Sequence, residues 1–431
     1  MQAKTPLATC AFVFLLSLFI LAAITLALGP SAKYPPGSDS DQYMSIGKSL
    51  AAGRGYRDPV GPWPDRADYA RMPVWPVIIS LGIRLAPGAT PEAVSRFSNA
   101  VCLSLAGALF CVVCMLLDIN TKLSAVAGIL ISLSPSLIYF SVGGMSEVSF
   151  VMLISAGIAA LLAGGRWILL AALFLGIASL VRANFILVPP LLLALAFLFR
   201  LGRMELFSRI RMRHVLCACV LAAAPPFLWA VRNALITGRF PVLSTIEGET
   251  FYGANNDVVA NNLEDWGYWV MPNDIPGETP KLQLARQLGS DLALNDYYHR
   301  KGVDWVKQNL NSLPRLELGK FVRAFAPIPW KPRIESYVVF SCRFFLYLLW
   351  ISFLPFWWRR INRTYVLFCL AMAITHLITT AVYYGLFRFT HCYIEILFIP
   401  CIAFGWQEFR NASINKLRTK QFTQFEKNLW S

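Results

Sequence analysis

The sequence has little charge. Only 15% of its 431 residues are Asp, Glu, Lys or Arg, whereas soluble domains carry about 25%. Hydrophobic residues make up 56% of the chain, and the mean hydropathy is +0.53. This composition excludes an ordinary soluble globular protein. It predicts an all-α polytopic membrane protein.

Histidine is also scarce, and cysteine is absent from both long loops, 30–93 and 233–337. The four histidines are scattered singly, a pattern that does not predict a metal cluster. The ten cysteines lie in or beside apolar segments, so we expect neither a disulfide framework nor a thiolate metal site. No P-loop, GxGxxG, HExxH or GxSxG motif occurs with the flanking strand and helix pattern that such a motif requires. Nucleotide-binding and common hydrolase chemistries are therefore not indicated.

Long apolar segments dominate what is present. Segment 11–28 resembles a signal sequence, but it is long enough to span a bilayer and many similar segments follow, so we interpret it as a retained first helix. The pattern predicts about ten transmembrane helices in all. The other nine are expected at 94–117, 123–142, 148–163, 168–180, 185–199, 215–231, 338–358, 366–384 and 392–406.

Lys and Arg in the short loops predict the orientation. The run 200–213, the cluster 359–363 and the tail 407–431 are basic, which places them in the cytoplasm by the positive-inside rule. Both long loops then face outward. The basic loops account for the net charge of +15 and suit contact with anionic lipids, so no nucleic-acid partner is expected. Within the first loop, the short apolar pieces 43–52 and 74–85 are predicted to be interfacial helices.

Two carboxylates, Asp39 and Asp41, lie about ten residues beyond the first apolar segment. One interpretation is structural: Ser38 or Asp39 caps a helix, with Asp41 in its first turn. The other is functional: Asp39, with Asp41 as the second candidate, is the acid/base group of an enzyme that acts at the outer membrane surface.

Further ionisable groups lie at the outer ends of the predicted helices, where the positive-inside rule predicts few arginines. They are Arg71, Glu147, Arg182, Arg232, Arg388 and His391. Charges at such depth are costly and commonly mark a functional site or a buried ion pair. The structural alternative is that Arg182 and Glu147 form one ion pair between neighbouring helices.

Carboxylates and arginines together suit glycosyl transfer from a lipid phosphate. A carboxylate can take the acceptor proton, and Arg can bind the departing phosphate through two oxygens. We expect Arg71 and Arg388 to hold the phosphate, with Arg182 and Arg232 as further candidates. The expected substrate contacts are Tyr43, Glu147, Trp266, Trp269 and His391. Trp266, Tyr268 and Trp269 are predicted to form a sugar platform or, alternatively, an interfacial aromatic belt.

The motifs run in a recognisable order through nearly the whole chain. They are Asp39 with Tyr43, the segments 50–56 and 72–76, Ser134-Pro135, Ser146-Glu147, 176–182, Arg232-Asn233 with Gly238, Ser244-Thr245 with Gly248, Asn255-Asn256 and Arg388-Phe389. In this order the chain resembles the integral-membrane glycosyltransferases of the GT-C superfamily, of the protein mannosyltransferase and aminoarabinose transferase type. Two positions depart from that pattern. Ser40 stands where the mannosyltransferases have an acidic residue, and Arg71-Met72 replaces a histidine before the prolines.

The resemblance implies a GT-C-like bundle, a polyprenyl-phosphate sugar donor, an unidentified acceptor and an outward-facing site with Asp39 as base. It also implies a multi-pass protein of the bacterial inner membrane. No cofactor is certain, and a divalent metal is kept as an open alternative. A transporter or flippase of lipid-linked sugars is the second candidate.

The same reasoning predicts four regions of the chain. They are a catalytic membrane module 1–232 with its first outer loop 30–93, a large outer loop 233–337, C-terminal helices 338–406 and a basic cytoplasmic tail 407–431.

Overall fold

A computed structural model describes residues 4–35, 37–59, 66–201, 212–240, 243–327, 334–358 and 360–429. Within these ranges every regular element is helical, which confirms the predicted all-α class. Most of the basic run 200–213, together with Arg359, lies outside the described residues.

The helices fall into three groups along the chain. The N-terminal group is α1 (Lys4–Ala27), α2 (Asp39–Ala51), α3 (Val74–Leu85), α4 (Pro91–Leu116), α5 (Thr121–Ser132), α6 (Pro135–Val142), α7 (Glu147–Ala163), α8 (Trp167–Ser179), α9 (Val188–Leu201) and α10 (Met212–Thr237). The middle group is α11 (Glu247–Ala254), α12 (Asp257–Asn261), α13 (Lys281–Leu288), α14 (Asp291–Gln308) and α15 (Leu313–Phe325). The C-terminal group is α16 (Ile334–Ser352), α17 (Leu354–Trp357), α18 (Arg363–Val382), α19 (Phe387–Tyr393) and α20 (Phe398–Leu429).

Five described helical segments are long and apolar enough to cross a membrane, and α5 with α6 makes a sixth if this pair, bent by 45°, is one span. These helices support an integral membrane protein. The expected count of about ten is not confirmed. The segments expected at 148–163 and 168–180 do form separate helices, α7 and α8, with Gly164 and Gly165 at positive φ between them, but each is shorter than a full span.

The first outer segment forms the two short helices that the sequence predicts, although their position at a membrane interface stays a prediction. Ser38 is the N-cap of α2, and its Oγ accepts a hydrogen bond from the Asp41 backbone N at 3.3 Å. Asp39 is therefore the first residue of the helix. α2 packs against α3 through Tyr43, Trp75 and Ile79. The Trp75 Nε1 donates to Gly144 O at 2.9 Å, which attaches this pair to the helix bundle.

The bundle is centred on α4, which packs against α1, α5 and α7. Gly107 on α4 faces Gly128 on α5, and a Cβ on Gly107 would lie 2.6 Å from Gly128 O. Small residues here let the two helices approach at backbone distance. Asn99 on the same helix donates to Ser141 O at 3.2 Å and Met145 O at 3.1 Å, which holds the turn before α7.

The described residues of region 233–337 form a helical unit that contains α11 to α15. Its core includes Tyr252, Leu284, Leu294 and Tyr298, where α11 and α14 pack together. The unit docks on the end of α18 through the fully buried Lys320. The Lys320 Nζ donates to Asn255 Oδ1 at 3.0 Å, to Glu317 Oε1 at 2.7 Å and to Ala381 O at 2.9 Å.

Candidate active site

A cavity of about 900 Å³ lies where five parts of the chain meet. Its lining comes from α2, from residues 70–72 just before α3, from the segment around the 3-10 helix Ala183–Leu187, from the helical unit within 233–337 and from the segment between α18 and α19. Its charged lining residues are Asp39, Arg71, Arg182, Arg239, Glu247 and Arg388. A volume of this size is in the range of small-molecule sites.

Asp39 lies between two arginines in this cavity. Its Oδ1 is 2.8 Å from Arg71 Nη2, and its Oδ2 is 3.3 Å from Arg388 Nη2. The Asp39 side chain is 32% exposed, so it is accessible from the cavity. The guanidinium of Arg71, and then that of Arg388, hold the pKa of Asp39 well below its usual range, against the opposing effect of burial. Asp39 is therefore an ionised carboxylate in this state.

Each of these arginines also donates a hydrogen bond through its Nε. The Nε of Arg71 donates to Gln42 Oε1 at 2.6 Å. The Nε of Arg388 donates to Glu147 Oε1. Glu147 is fully buried at the start of α7, and it also pairs with Arg182. The predicted Arg182–Glu147 ion pair is present, and it belongs to a larger network that reaches Asp39.

Local structure explains how these side chains meet. α2 places Asp39 at its first residue and Gln42 three residues later, hence on one face of the helix. Gly144 adopts a positive φ of 67° just before α7, and a Cβ there would meet the Tyr34 ring at 2.4 Å. This tight turn sets the start of α7, where Glu147 lies. Arg388 is the second residue of the short helix α19.

One wall of the cavity is apolar and accessible. Ile186, Ile378 and Val382 line the cavity and are themselves 37%, 44% and 41% exposed. Leu386 and Phe389 continue this wall toward Arg388. An apolar chain could therefore lie along this wall with a charged head group at the arginines.

A second wall is aromatic. The ring centroid of Tyr384 lies 6.3 Å from that of Trp269, 6.4 Å from that of Tyr268 and 5.7 Å from that of Phe389. All four side chains line the cavity. Such a wall offers flat aromatic surfaces to a sugar ring.

Several predicted site residues come together at the cavity. They are Asp39, Tyr43, Arg71, Arg182, Trp269 and Arg388, with Glu147 buried behind Arg182 and Arg388. Arg71 lies over the Tyr43 ring, 5.5 Å from its centroid. The sequence separates these residues widely, and the helix bundle brings them together.

Four predicted site residues, Asp41, Arg232, Trp266 and His391, lie outside the lining of this cavity and make other contacts. Asp41 accepts from the Gly37 backbone N at 2.9 Å. Trp266 Nε1 donates to Arg315 O at 3.1 Å. The imidazole of His391 is 3.0 Å from Ser134 Oγ and 2.9 Å from Glu395 Oε2. Arg232 donates to Asp68 O at 2.6 Å. None of the four lines the cavity within the described residues.

The structure also shows two residues that sequence reasoning missed, Gln42 and Tyr384, and it places Phe389, which the sequence showed only as part of a motif, in the cavity wall. Gln42 lies three residues after Asp39, so helical spacing alone could have indicated it. Phe389 follows Arg388 directly, but Tyr384 lies in a non-helical connection whose direction no sequence pattern predicts. Among the described residues, no group of three or more His, Cys, Asp or Glu side chains is arranged to hold a metal ion.

The solved structures that are similar to this chain include two of one protein. No protein-family model matches the chain. No curated protein matches it either. The structure of ArnT from Cupriavidus metallidurans bound to undecaprenyl phosphate is 12% identical, with a TM-score of 0.42 over 95% of this chain and 79% of that one. The apo structure of the same ArnT is 13% identical, with a TM-score of 0.39 over 90% of this chain and 77% of that one.

Proposed function

We propose that this chain is a membrane glycosyltransferase that transfers a sugar from a polyprenyl-phosphate donor to an acceptor at the outer face of the membrane. The observation that carries the proposal is the position of Asp39. Its carboxylate lies between Arg71 and Arg388 in a cavity with one apolar, accessible wall. A proton acceptor, a phosphate site and a lipid path then meet at one place.

The charge of the site fits a donor of this class. Three guanidinium groups, those of Arg71, Arg182 and Arg388, pair with the two carboxylates of Asp39 and Glu147. One net positive charge remains. A polyprenyl-phosphate sugar is a phosphodiester with one negative charge, so its binding would neutralise the cluster. Arginine suits this task because its planar guanidinium can engage two phosphate oxygens.

The apolar wall suits the polyprenyl chain. Ile186, Ile378 and Val382 combine cavity lining with exposure, so a lipid could enter sideways while its phosphate approaches Arg388. The sugar would then rest against Trp269 and Tyr384. The acceptor would approach from the polar side of the cavity, where the helical unit contributes Glu247 and Asn295.

The reaction follows from this arrangement. The bond between the anomeric carbon and the phosphate oxygen breaks, and its electron pair leaves with the phosphate. The acceptor oxygen or nitrogen forms the new bond to the anomeric carbon and gives its proton to Asp39. Arg71 and Arg388 stabilise the charge that develops on the leaving phosphate. The proton on Asp39 can then pass to the phosphate monoester, which restores the carboxylate.

The outward orientation and the location in a bacterial inner membrane belong to the same proposal, and the Lys and Arg asymmetry of the loops supports the orientation. The test uses purified protein in liposomes with a polyprenyl-phosphate donor that carries a labelled sugar. An envelope lipid and glycan fraction supplies acceptors. Mass spectrometry of a product that carries the label supports transfer. Movement of the donor across vesicles that contain no acceptor, without any transfer when acceptors are added, would instead identify a transporter.

A further inference from the structure

Both arginines beside Asp39 share one contact pattern. Each donates its Nε to a neighbour and turns its Nη groups toward the carboxylate. For Arg71 the neighbour is Gln42 at 2.6 Å, and for Arg388 it is Glu147. The Nη2 of Arg71 is 2.8 Å from Asp39 Oδ1, and the Nη1 and Nη2 of Arg388 are 3.4 and 3.3 Å from Asp39 Oδ2.

This pattern occupies both oxygens of Asp39. A carboxylate held by two guanidinium groups is a weak proton acceptor, because protonation would break both ion pairs. In this state Asp39 is poorly suited to take the proton of an acceptor hydroxyl or amine. The proposed base is therefore inhibited by the same two arginines that are proposed to hold the donor.

We propose that the donor phosphate displaces Asp39 from the Nη groups of Arg71 and Arg388, so that Asp39 becomes available as the base only after the donor has bound. The proposal rests on the proposed function and adds an order of events to it. Gln42 and Glu147 are positioning residues in this exchange. They keep the two Nε groups in place while the Nη groups change partner from carboxylate to phosphate.

The geometry supports an exchange rather than a simple addition. The Arg71 and Arg388 side chains are each only 16% exposed, so their Nη groups have few other directions in which to meet a ligand. Glu147 is fully buried and already bound to Arg182, so it stays with Arg388. Asp39 is the more exposed partner at 32%, and its carboxylate can turn toward the cavity.

The exchange balances in charge and atoms. Before transfer, the phosphodiester occupies the two arginines and Asp39 carries its own negative charge toward the acceptor. Asp39 then accepts the acceptor proton as the glycosidic bond to phosphate breaks. The leaving phosphate gains one negative charge at the moment when Asp39 loses its own. No oxidant, reductant or further reactant is needed.

The experiment measures binding of a polyprenyl monophosphate, without sugar, to the full-length protein in detergent, with inorganic phosphate as a second probe. If Asp39 competes with phosphate for the arginines, Asp39→Asn should bind the lipid phosphate about tenfold more tightly, the scale of one charge-assisted hydrogen bond. The same variant should lose sugar transfer. Asp41→Asn removes one charge from the same helix, and its binding should stay within about twofold of the wild type.

The outcomes separate the two proposals. Unchanged or weaker lipid-phosphate binding by Asp39→Asn overturns the exchange while the proposed function stands. If the wild type binds neither probe and transfers no sugar, both proposals fail. If Asp39→Asn gains as much affinity for inorganic phosphate as for the lipid phosphate, the exchange holds and the protein recognises the phosphate alone. If it gains affinity only for the lipid phosphate, the exchange holds and the apolar wall takes part in recognition.

Gln42→Met tests the positioning role, because Met has a similar volume and no strong acceptor for Arg71 Nε. Binding of the lipid phosphate should weaken about tenfold in the wild-type background and equally in the Asp39→Asn background. A general packing defect would also lower thermal stability, which is measured in parallel. A loss of binding that disappears when Asp39 is replaced would show that Gln42 acts through Asp39 and not through the arginine, against the proposed role.

Discussion

Arg388 places its Nη2 3.3 Å from Asp39 Oδ2, although 349 residues separate the two in sequence. The contact joins the short helix α19 to the first residue of α2. It brings the C-terminal part of the chain to the carboxylate that follows the first helix. The site is therefore assembled by the whole bundle, and changes at either end should alter the same activity.

Asp39→Asn should reduce sugar transfer by roughly 100- to 10,000-fold, the usual contribution of a general base. Asn keeps the size of the side chain, and Ser38 keeps its role as N-cap of α2. Asp41→Asn is the matched control, because the Asp41 carboxylate accepts from the Gly37 backbone N and lies apart from the cavity. Transfer is measured at equal membrane levels of protein. Near-normal turnover in Asp39→Asn, or loss in Asp41→Asn alone, would show that the assignment is wrong.

Arg388→Lys should raise the donor KM about ten- to a hundredfold although it keeps the charge. A lysine ammonium is a single point of contact and cannot hold Glu147 through one nitrogen while it presents two others to the cavity. Arg84→Lys is the control, since Arg84 only donates to the Leu50 and Ala51 carbonyls at the end of α2. Steady-state kinetics with varied donor provide the measurement. An unchanged donor KM in Arg388→Lys would mean that the arginine only anchors α19 to α7 through Glu147.

The ion pairs of Asp39 should make stability depend on pH in one direction. Because Arg71 and Arg388 lower the pKa of Asp39 in the folded state, its contribution is fully present above the ordinary Asp value of about 3.9. It is lost as the pH falls below that value toward the lower folded pKa. Thermal unfolding in detergent should therefore show a constant difference between wild type and Asp39→Asn from pH 7 to about 4, with the difference shrinking below. A difference that grows on acidification would contradict the assignment of these ion pairs.

Gly385→Ala should destabilise the docking of the helical unit by about 1–3 kcal/mol or more. A Cβ on Gly385 would lie 1.7 Å from the Lys320 carbonyl oxygen, which is backbone and cannot turn away. Gly88→Ala is the control, because a Cβ there meets nothing within 4 Å. Thermal unfolding and limited proteolysis of region 233–337 measure the effect. Equal behaviour of the two variants would show that this close approach is not important for docking.

The orientation can be tested by cysteine labelling in a background without native cysteines. Single cysteines are placed at Ser290, in the helical unit, and at Ser208, which lies outside the described residues. The positive-inside rule predicts that an impermeant thiol reagent added outside labels position 290 and not position 208. The reverse pattern would place the cavity on the cytoplasmic side.

The sequence by itself determined the class of protein and much of its helical content. Composition and apolar periodicity were sufficient for an all-α membrane protein, because segments longer than about eighteen apolar residues have few other stable environments. Local signals were sufficient for α2, since Ser38 caps it and its apolar side chains follow a helical period. The number of spans was less predictable, because the 45° bend between α5 and α6 depends on packing.

Only the tertiary structure decided which charged residues share one site. The sequence pattern indicated Arg71, Arg182, Arg232 and Arg388 equally, because the position of a residue along the chain does not show which way its side chain points. Packing placed three of them around Asp39 and Glu147 and turned Arg232 toward the Asp68 carbonyl. Packing also placed the two tryptophans in different environments. Trp266 lies against α15, where Gly319 packs on its ring, whereas Trp269 lines the cavity. Contacts between distant segments depend on how the helices pack, and the local pattern of the sequence does not show this packing.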